Sequence, residues 1–165
     1  MRPIPQYDAK AWLLKAMRET ARAMEAIIWE ADEADLERAS NDDEWSAKQQ
    51  LSHMCEMERR YIGWLECIAR EDDARLKPFD GDSIEPEVPL DRVGVYELME
   101  EFGALRQQCV YLLWSLDEYD WERTGEHPYL GPRSILDIAR EMNEHDLAHL
   151  WQLRRTCDHF SAVSA

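Results

Sequence analysis

Four stretches of this 165-residue chain repeat apolar residues at three- and four-residue steps, and all seven prolines fall outside them. That period marks the buried stripe of an amphipathic helix. The first stretch covers residues 8–37, with Asp8 as a candidate N-cap. Its inward stripe reads Leu13, Met17, Thr20, Met24, Ile27, Ala31 and Ala34. The second begins at Trp45-Ser46, where Ser46 and Gln49 have capping-box spacing, and runs to residue 71. Gln50, His53, Met57, Tyr61, Trp64 and Ile68 share one of its faces. The third covers residues 91–116, with Val95, Leu98, Phe102, Leu105, Cys109, Leu112 and Leu116 in register. The fourth starts at Ser134, which is spaced to cap with Asp137. Its stripe is Ile135, Ile138, Met142, His145, His149, Gln152, Thr156 and Phe160. Nothing reads as a strand, and residues 119–133 read as a loop. The expectation is an all-α four-helix bundle formed as one domain over residues 1–165.

The connections constrain the topology. Residues 72–90 contain Pro78, Gly81, Pro86 and Pro89 and cannot be helical. Nineteen residues stretch to about 60 Å, whereas a helix of 26 residues is about 39 Å long. The long connection can therefore return along the bundle and start helix 3 parallel to helix 2. The short connections make helices 1 and 2, and helices 3 and 4, antiparallel. That return gives an up-down-down-up bundle in which helices 2 and 4 are antiparallel; an up-down-up-down bundle needs no such loop but could contain one.

Charge narrows the function classes. Nineteen Lys and Arg against 35 Asp and Glu give a net charge of −16. Nucleic-acid backbones and anionic lipid both require a basic face, so no nucleic-acid or membrane partner is expected. No apolar run is long enough to span a bilayer, and residues 1–5 lack a signal-peptide core. The expected location is cytoplasmic. Cys55, Cys67, Cys109 and Cys157 form no CxxC pair and read as reduced thiols. The tryptophans, among them Trp12, Trp64 and Trp151, read mainly as core.

The chemistry lies in the histidines. His145 and His149 are one turn apart on the inward stripe of the fourth segment. His53 lies on the inward stripe of the second. If those helices are antiparallel, all three imidazoles fall toward the same end of the bundle. Three inward imidazoles from two helices suit a divalent metal with an open position, although inward histidines also serve as hydrogen-bonded core residues. His127, beside Pro128, reads as solvated. His159 is about 15 Å further along its helix and too far to join.

Groups near these histidines are candidates for supporting roles. Glu56, Asp146 and Glu141 lie within a turn of a histidine and could act as a general base or orient an imidazole. Each could equally be a solvated surface acid. Gln49 and Arg60 lie near the His53 face and could line a pocket. Cys55 is turned away from His53 by about 200°.

The stretch Trp45-Ser46-Ala47-Lys48-Gln49-Gln50-Leu51-Ser52-His53 resembles the second-helix signature of the DinB-like (DinB/YfiT) superfamily. Asn143-Glu144-His145-Asp146-Leu147-Ala148-His149-Leu150-Trp151-Gln152-Leu153 resembles its fourth-helix HxxxH signature, and Gly131-Pro132-Arg133-Ser134 fits the loop before it. The resemblance implies a four-helix bundle whose His53, His145 and His149 bind a divalent metal; the imidazole donors favour zinc or nickel, with copper and iron also open. It also implies a thiol-dependent S-transferase or a hydrolase acting on a small-molecule substrate, with a low-molecular-weight thiol as possible co-substrate, and a homodimer. The alternative is a non-catalytic module that binds metal or ligand, or that only dimerises.

Overall fold

The computed structural model describes residues 6–163. The helices are α1 (Gln6–Glu30), α2 (Glu33–Leu36), α3 (Ala47–Arg70), α4 (Val95–Ser115), α5 (Glu118–Glu122) and α6 (Ile135–Val163). Strands β1 (Thr124–His127) and β2 (Gly131–Ser134) form an antiparallel hairpin between α5 and α6. Helices α1, α4, α3 and α6 make the bundle, in that order around its axis.

Cross-helix contacts fix the directions. Lys10 Nζ donates to the Trp114 carbonyl at 3.3 Å, and Trp29 stacks on Tyr96 with centroids 4.8 Å apart, so α1 and α4 are antiparallel. Cys55 Sγ donates to the Leu98 carbonyl and Arg106 donates to Glu58, which makes α3 and α4 parallel. Gln50 donates to Thr156 and Tyr61 donates to Glu141, each at 3.0 Å, which makes α3 and α6 antiparallel. The up-down-down-up order inferred from the long connection is the order observed.

Two apolar clusters fill the bundle. One is built on Met17, Leu65, Ile68, Leu113, Ile135 and Ile138, the other on Met24, Ile28, Leu51, Phe102 and Leu153. A polar layer lies between them. Thr20, Glu58, Arg106 and Asp146 are all buried there, one from each bundle helix. Arg106 donates to both Glu58 oxygens at 2.8 Å, to both Asp146 oxygens and to the Met17 carbonyl at 3.1 Å. Burial pulls the guanidinium toward neutrality, but Asp146 and Glu58 outweigh it and keep Arg106 charged.

Helix ends follow the expected chemistry at two sites. Ser46 and Gln49 form a reciprocal capping box at the start of α3. Ser134 and Asp137 exchange the same pair of bonds before α6.

Elsewhere the structure departs from the sequence reading. Helix α1 already runs from Gln6, so Asp8 sits in its first turn and not at its N-cap. It ends at Glu30, because Asp32 adopts extended backbone (φ −68°, ψ 135°). The separate turn α2 then buries Leu36 completely, while Ala34 is exposed. Leu14, not Leu13, is the buried residue at the start of the α1 stripe. On α4 the buried face is Phe102, Arg106, Cys109 and Leu113; the expected Leu105 and Leu112 are only half-buried.

The stretch 119–133 is not a loop. Its hairpin is extended by residues 74–76, which bridge to Glu126 through Leu76 N–H to Glu126 O at 2.9 Å and Glu126 N–H to Ala74 O at 2.8 Å. Trp64 and Trp121 are buried, but Trp12, Trp29, Trp114 and Trp151 are exposed. Trp12 and Trp151 each stand two residues from a buried leucine, about 200° away around the helix. Among the described residues no helix is long and apolar enough to cross a membrane.

Candidate metal centre

Register brings the three histidines together. Because α3 and α6 are antiparallel, His53 near the start of α3 meets the middle of α6. Helical spacing then puts His145 and His149 on the facing side, one above the other. One ligand nitrogen from each of His53, His145 and His149 lies within 4.8 Å of the other two. His53 Nε2 is 3.1 Å from His145 Nε2. Ring centroids are 4.9 Å apart for His53 and His149, and 4.4 Å for His145 and His149. Trp45 packs on His53 at 5.0 Å, and the Tyr61 ring meets His145 edge-on.

The donor set suits a cation. Two nitrogens bound at about 2.05 Å and 90–109° stand about 2.9–3.4 Å apart, a range that includes the His53–His145 spacing. His149 Nδ1 is buried and hydrogen-bonds to nothing. An orphaned buried nitrogen carries a penalty that a ligand would remove. Burial lowers His145 to about 4, helped by His53 and Arg106. Burial, then His145, lowers His149 to about 4, with Gln152 opposing. Both rings are therefore neutral near pH 7, with lone pairs free to donate.

The histidines open into a cleft of about 540 Å³, also lined by Asp43, Glu44, Trp45, Met57, Gln152 and Arg155. Its outer rim is polar: Arg155 reaches Glu44 at 3.4 Å, and Ser40 donates to Glu44 at 2.8 Å. Gly81 brings the long connection against Met57, where an added Cβ would stand 3.4 Å from Sδ.

None of the supporting candidates named from the sequence lines this cleft. Glu56 and Asp146 are buried acids, not solvated ones. Glu56 accepts from Arg59 at 2.8 Å and from the Glu87 N–H at 3.0 Å, which ties the long connection to α3. Asp146, next to His145 in sequence, points the other way into Arg106, and burial raises its pKa against the pull of that guanidinium. Glu141 accepts from Tyr61 and from Arg133; burial, then Glu141, raises the Tyr61 phenol. Gln49 is spent on the α3 cap and is exposed. Arg60 is exposed and borders a different pocket.

His127 is buried, contrary to the solvated reading. Its Nδ1 accepts from the Tyr129 and Leu130 N–H groups at 3.2 Å, and its ring meets Trp64 edge-on. His159 is exposed and outside the cluster, and Cys55 is turned away, both as expected.

Sequence reasoning missed Glu58 and Arg106. The signal was present: Arg106 falls four residues after Phe102 and three before Cys109, inside the α4 stripe. Glu58 falls four residues after Met54 in α3, and Asp146 four after Met142 in α6. Charges of opposite sign inside three apolar stripes point to a buried ionic cluster. Residues 105 and 112 in α4 are leucines, so an apolar path beside Arg106 concealed it.

Three proteins of Bacillus cereus, among them those of strains B4264 and G9842, carry a provisional metal-dependent hydrolase name. Each is 21% identical to this chain over 157 residues, covering 93% of the chain and 90% of the relative. Among solved structures, YfiT from Bacillus subtilis, described as a probable metal-dependent hydrolase with an unusual four-helix bundle topology, matches 98% of the chain and 92% of its own length. Its TM-score is 0.81 at 14% identity, a likeness of fold. The family model of the DinB superfamily matches residues 16–153, from within α1 to within α6 and including the three histidines, and the chain belongs to that superfamily.

Proposed function

We propose that this protein is a metal-dependent hydrolase of small molecules, with His53, His145 and His149 as ligands of one divalent ion. The observation that carries the reading is the convergence of three imidazoles, His149 Nδ1 unpartnered, at the floor of an open cleft. The names of the Bacillus cereus relatives support it. Three imidazoles suit zinc or nickel. When bound, such an ion supplies Lewis-acid chemistry and activates water near neutral pH.

The chain's own residues would do the rest. Trp45 and Met57 wall the cleft and restrict water on one side. Of the two cleft acids, Asp43 is exposed, and Glu44, half-buried and braced by Ser40 and Arg155, would take and return a proton at its carboxylate. Arg155 offers a cation to an anionic part of the substrate. Gln152, beside His149, orients that imidazole.

The test is a turnover screen of zinc- and nickel-loaded protein on ester, amide and phosphoester substrates, run with and without a low-molecular-weight thiol. Hydrolysis that needs no thiol, disappears with metal in His53→Ala, and falls at least tenfold with metal retained in Glu44→Gln supports the reading. Turnover only with thiol would assign S-transfer instead. Stoichiometric metal with no turnover on any class would leave a binding module.

A further inference from the structure

We infer a second binding site, for a small organic anion with an apolar body, in the groove between α3 and segment 75–79. It is separate from the histidine cleft, and the inference is independent of the metal reading.

The groove has a volume of about 310 Å³, room for about ten water molecules at ~30 Å³ each. That is near the lower end of small-molecule sites. One wall is a stripe of α3: Arg60, Gly63 and Cys67, at three- and four-residue steps. The opposite wall is extended chain in which Ala74 and Leu76 are buried while Arg75 and Lys77 face out. Alternation of this kind follows from the two-residue period of extended backbone. The floor is aromatic, with Trp64 and Phe79 in contact at 4.8 Å.

This wall is held in place. Trp64 Nε1 donates to the Lys77 carbonyl at 2.8 Å, and Cys67 Sγ donates to the Arg75 carbonyl at 3.7 Å. The Leu76 and Glu126 backbones pair beside it. The two basic side chains are thus presented from fixed backbone.

Charge identifies the occupant. The chain has 35 acids, yet among the described residues the one carboxylate at this groove is Glu71, which meets Cys67 at its end and raises that thiol after burial does. Arg59 at its edge is neutralised by Glu56, Glu87 and Glu101. Among the described ion pairs, none involves Arg60, Arg75 or Lys77. Three cations without an ion pair around an aromatic floor, with Arg75 also facing Asp72, Asp73 and Glu126 on its other side, match a carboxylate or sulfonate attached to a ring or short hydrocarbon.

Cys67, half-exposed in the groove, provides the readout. In a Cys157→Ser background, with Cys55 and Cys109 buried, Cys67 is the reactive thiol. Its thiolate attacks one sulfur of an aryl disulfide, forms a mixed disulfide and expels the aryl thiolate. The rate with dianionic 5,5′-dithiobis(2-nitrobenzoate), divided by the rate with neutral 4,4′-dithiodipyridine, cancels the thiol's own ionisation. The site predicts that this ratio falls with salt and falls about twofold for each of Arg60→Gln, Arg75→Gln and Lys77→Gln, about tenfold for all three. It also predicts that 8-anilinonaphthalene-1-sulfonate protects Cys67 with saturating dependence. By fluorescence, Gly63→Leu should abolish that binding. An added Cβ at Gly63 meets nothing within 4 Å, so the backbone there accepts a side chain, and the unfolding midpoint of the variant checks that the fold is kept. A rate ratio indifferent to the three cations would overturn the inference. So would protection that does not saturate, or dye binding that survives Gly63→Leu.

Discussion

Arg106 and Asp146 pair face to face across the bundle diagonal, α4 to α6, with Nη1 donating to Oδ2 and Nη2 to Oδ1. Since Asp146 is next to His145, the pair that closes the bundle interior also sets the rotation of α6 and points His145 and His149 at His53. Glu58 on α3 completes the clamp from the helix that carries His53. The ionic layer and the histidine cluster are two faces of one α3–α6 register.

Removing one member of the clamp strands the others. Arg106→Met is expected to cost about 3–5 kcal/mol, because two buried carboxylates lose their counter-charge. Replacing all three charges together, Glu58→Leu with Arg106→Met and Asp146→Leu, should recover most of that loss. Urea denaturation of the single and triple variants checks both. Equal loss in the two would contradict the clamp.

Two glycines should respond oppositely to alanine. Gly125 in β1 packs so closely that an added Cβ would lie 2.8 Å from Leu76 Cδ2 and 2.9 Å from Ile68 Cγ1. Gly125→Ala is expected to destabilise by about 1–3 kcal/mol through overpacking. Gly103, inside α4, has open space around its Cα, so Gly103→Ala should stabilise by about 0.5–1 kcal/mol. Thermal unfolding of both variants reads the two signs.

The thiols should titrate late. Burial pushes Cys55 up to about 12 and Cys157 up to about 11, and raises Cys109 well above its usual range. A raised pKa leaves little thiolate at pH 8, so alkylation of Cys157 should keep accelerating as pH rises toward 11. Cys55 and Cys109 should stay unmodified until the protein unfolds. Mass-spectrometric mapping after iodoacetamide treatment at stepped pH checks the order. Early labelling of Cys55 would show that its site opens readily.

The bundle was legible because its helices carry regular stripes and because 19 residues between two of them permit a parallel return. The histidine cluster was legible for the same reason: His53, His145 and His149 occupy stripe positions, and helix direction does the rest. The hairpin was not legible. Thr124-Gly125-Glu126-His127 has no apolar alternation; its pairing depends on Leu76 and Ile68 packing against Gly125, contacts distant in sequence. The turn that closes it needs Gly131 at φ +73°, a local signal that marks a turn without naming its strands. The supporting acids were misplaced because closeness in sequence to a histidine says nothing about which side of the helix they face. Asp146 is one residue from His145 and about 100° away from it around the helix.

The histidine centre is tested most directly by elemental analysis of protein purified without a His-tag or chelator and then reconstituted with zinc or nickel. Wild type and His149→Ala would be compared, with the Gly103→Ala variant as a folded control. A three-histidine site gives close to one metal per chain in wild type and control, and loss of that metal in His149→Ala with helical content unchanged. Wild-type protein that stays metal-free after reconstitution, or a His149→Ala variant that keeps a full complement, would contradict it.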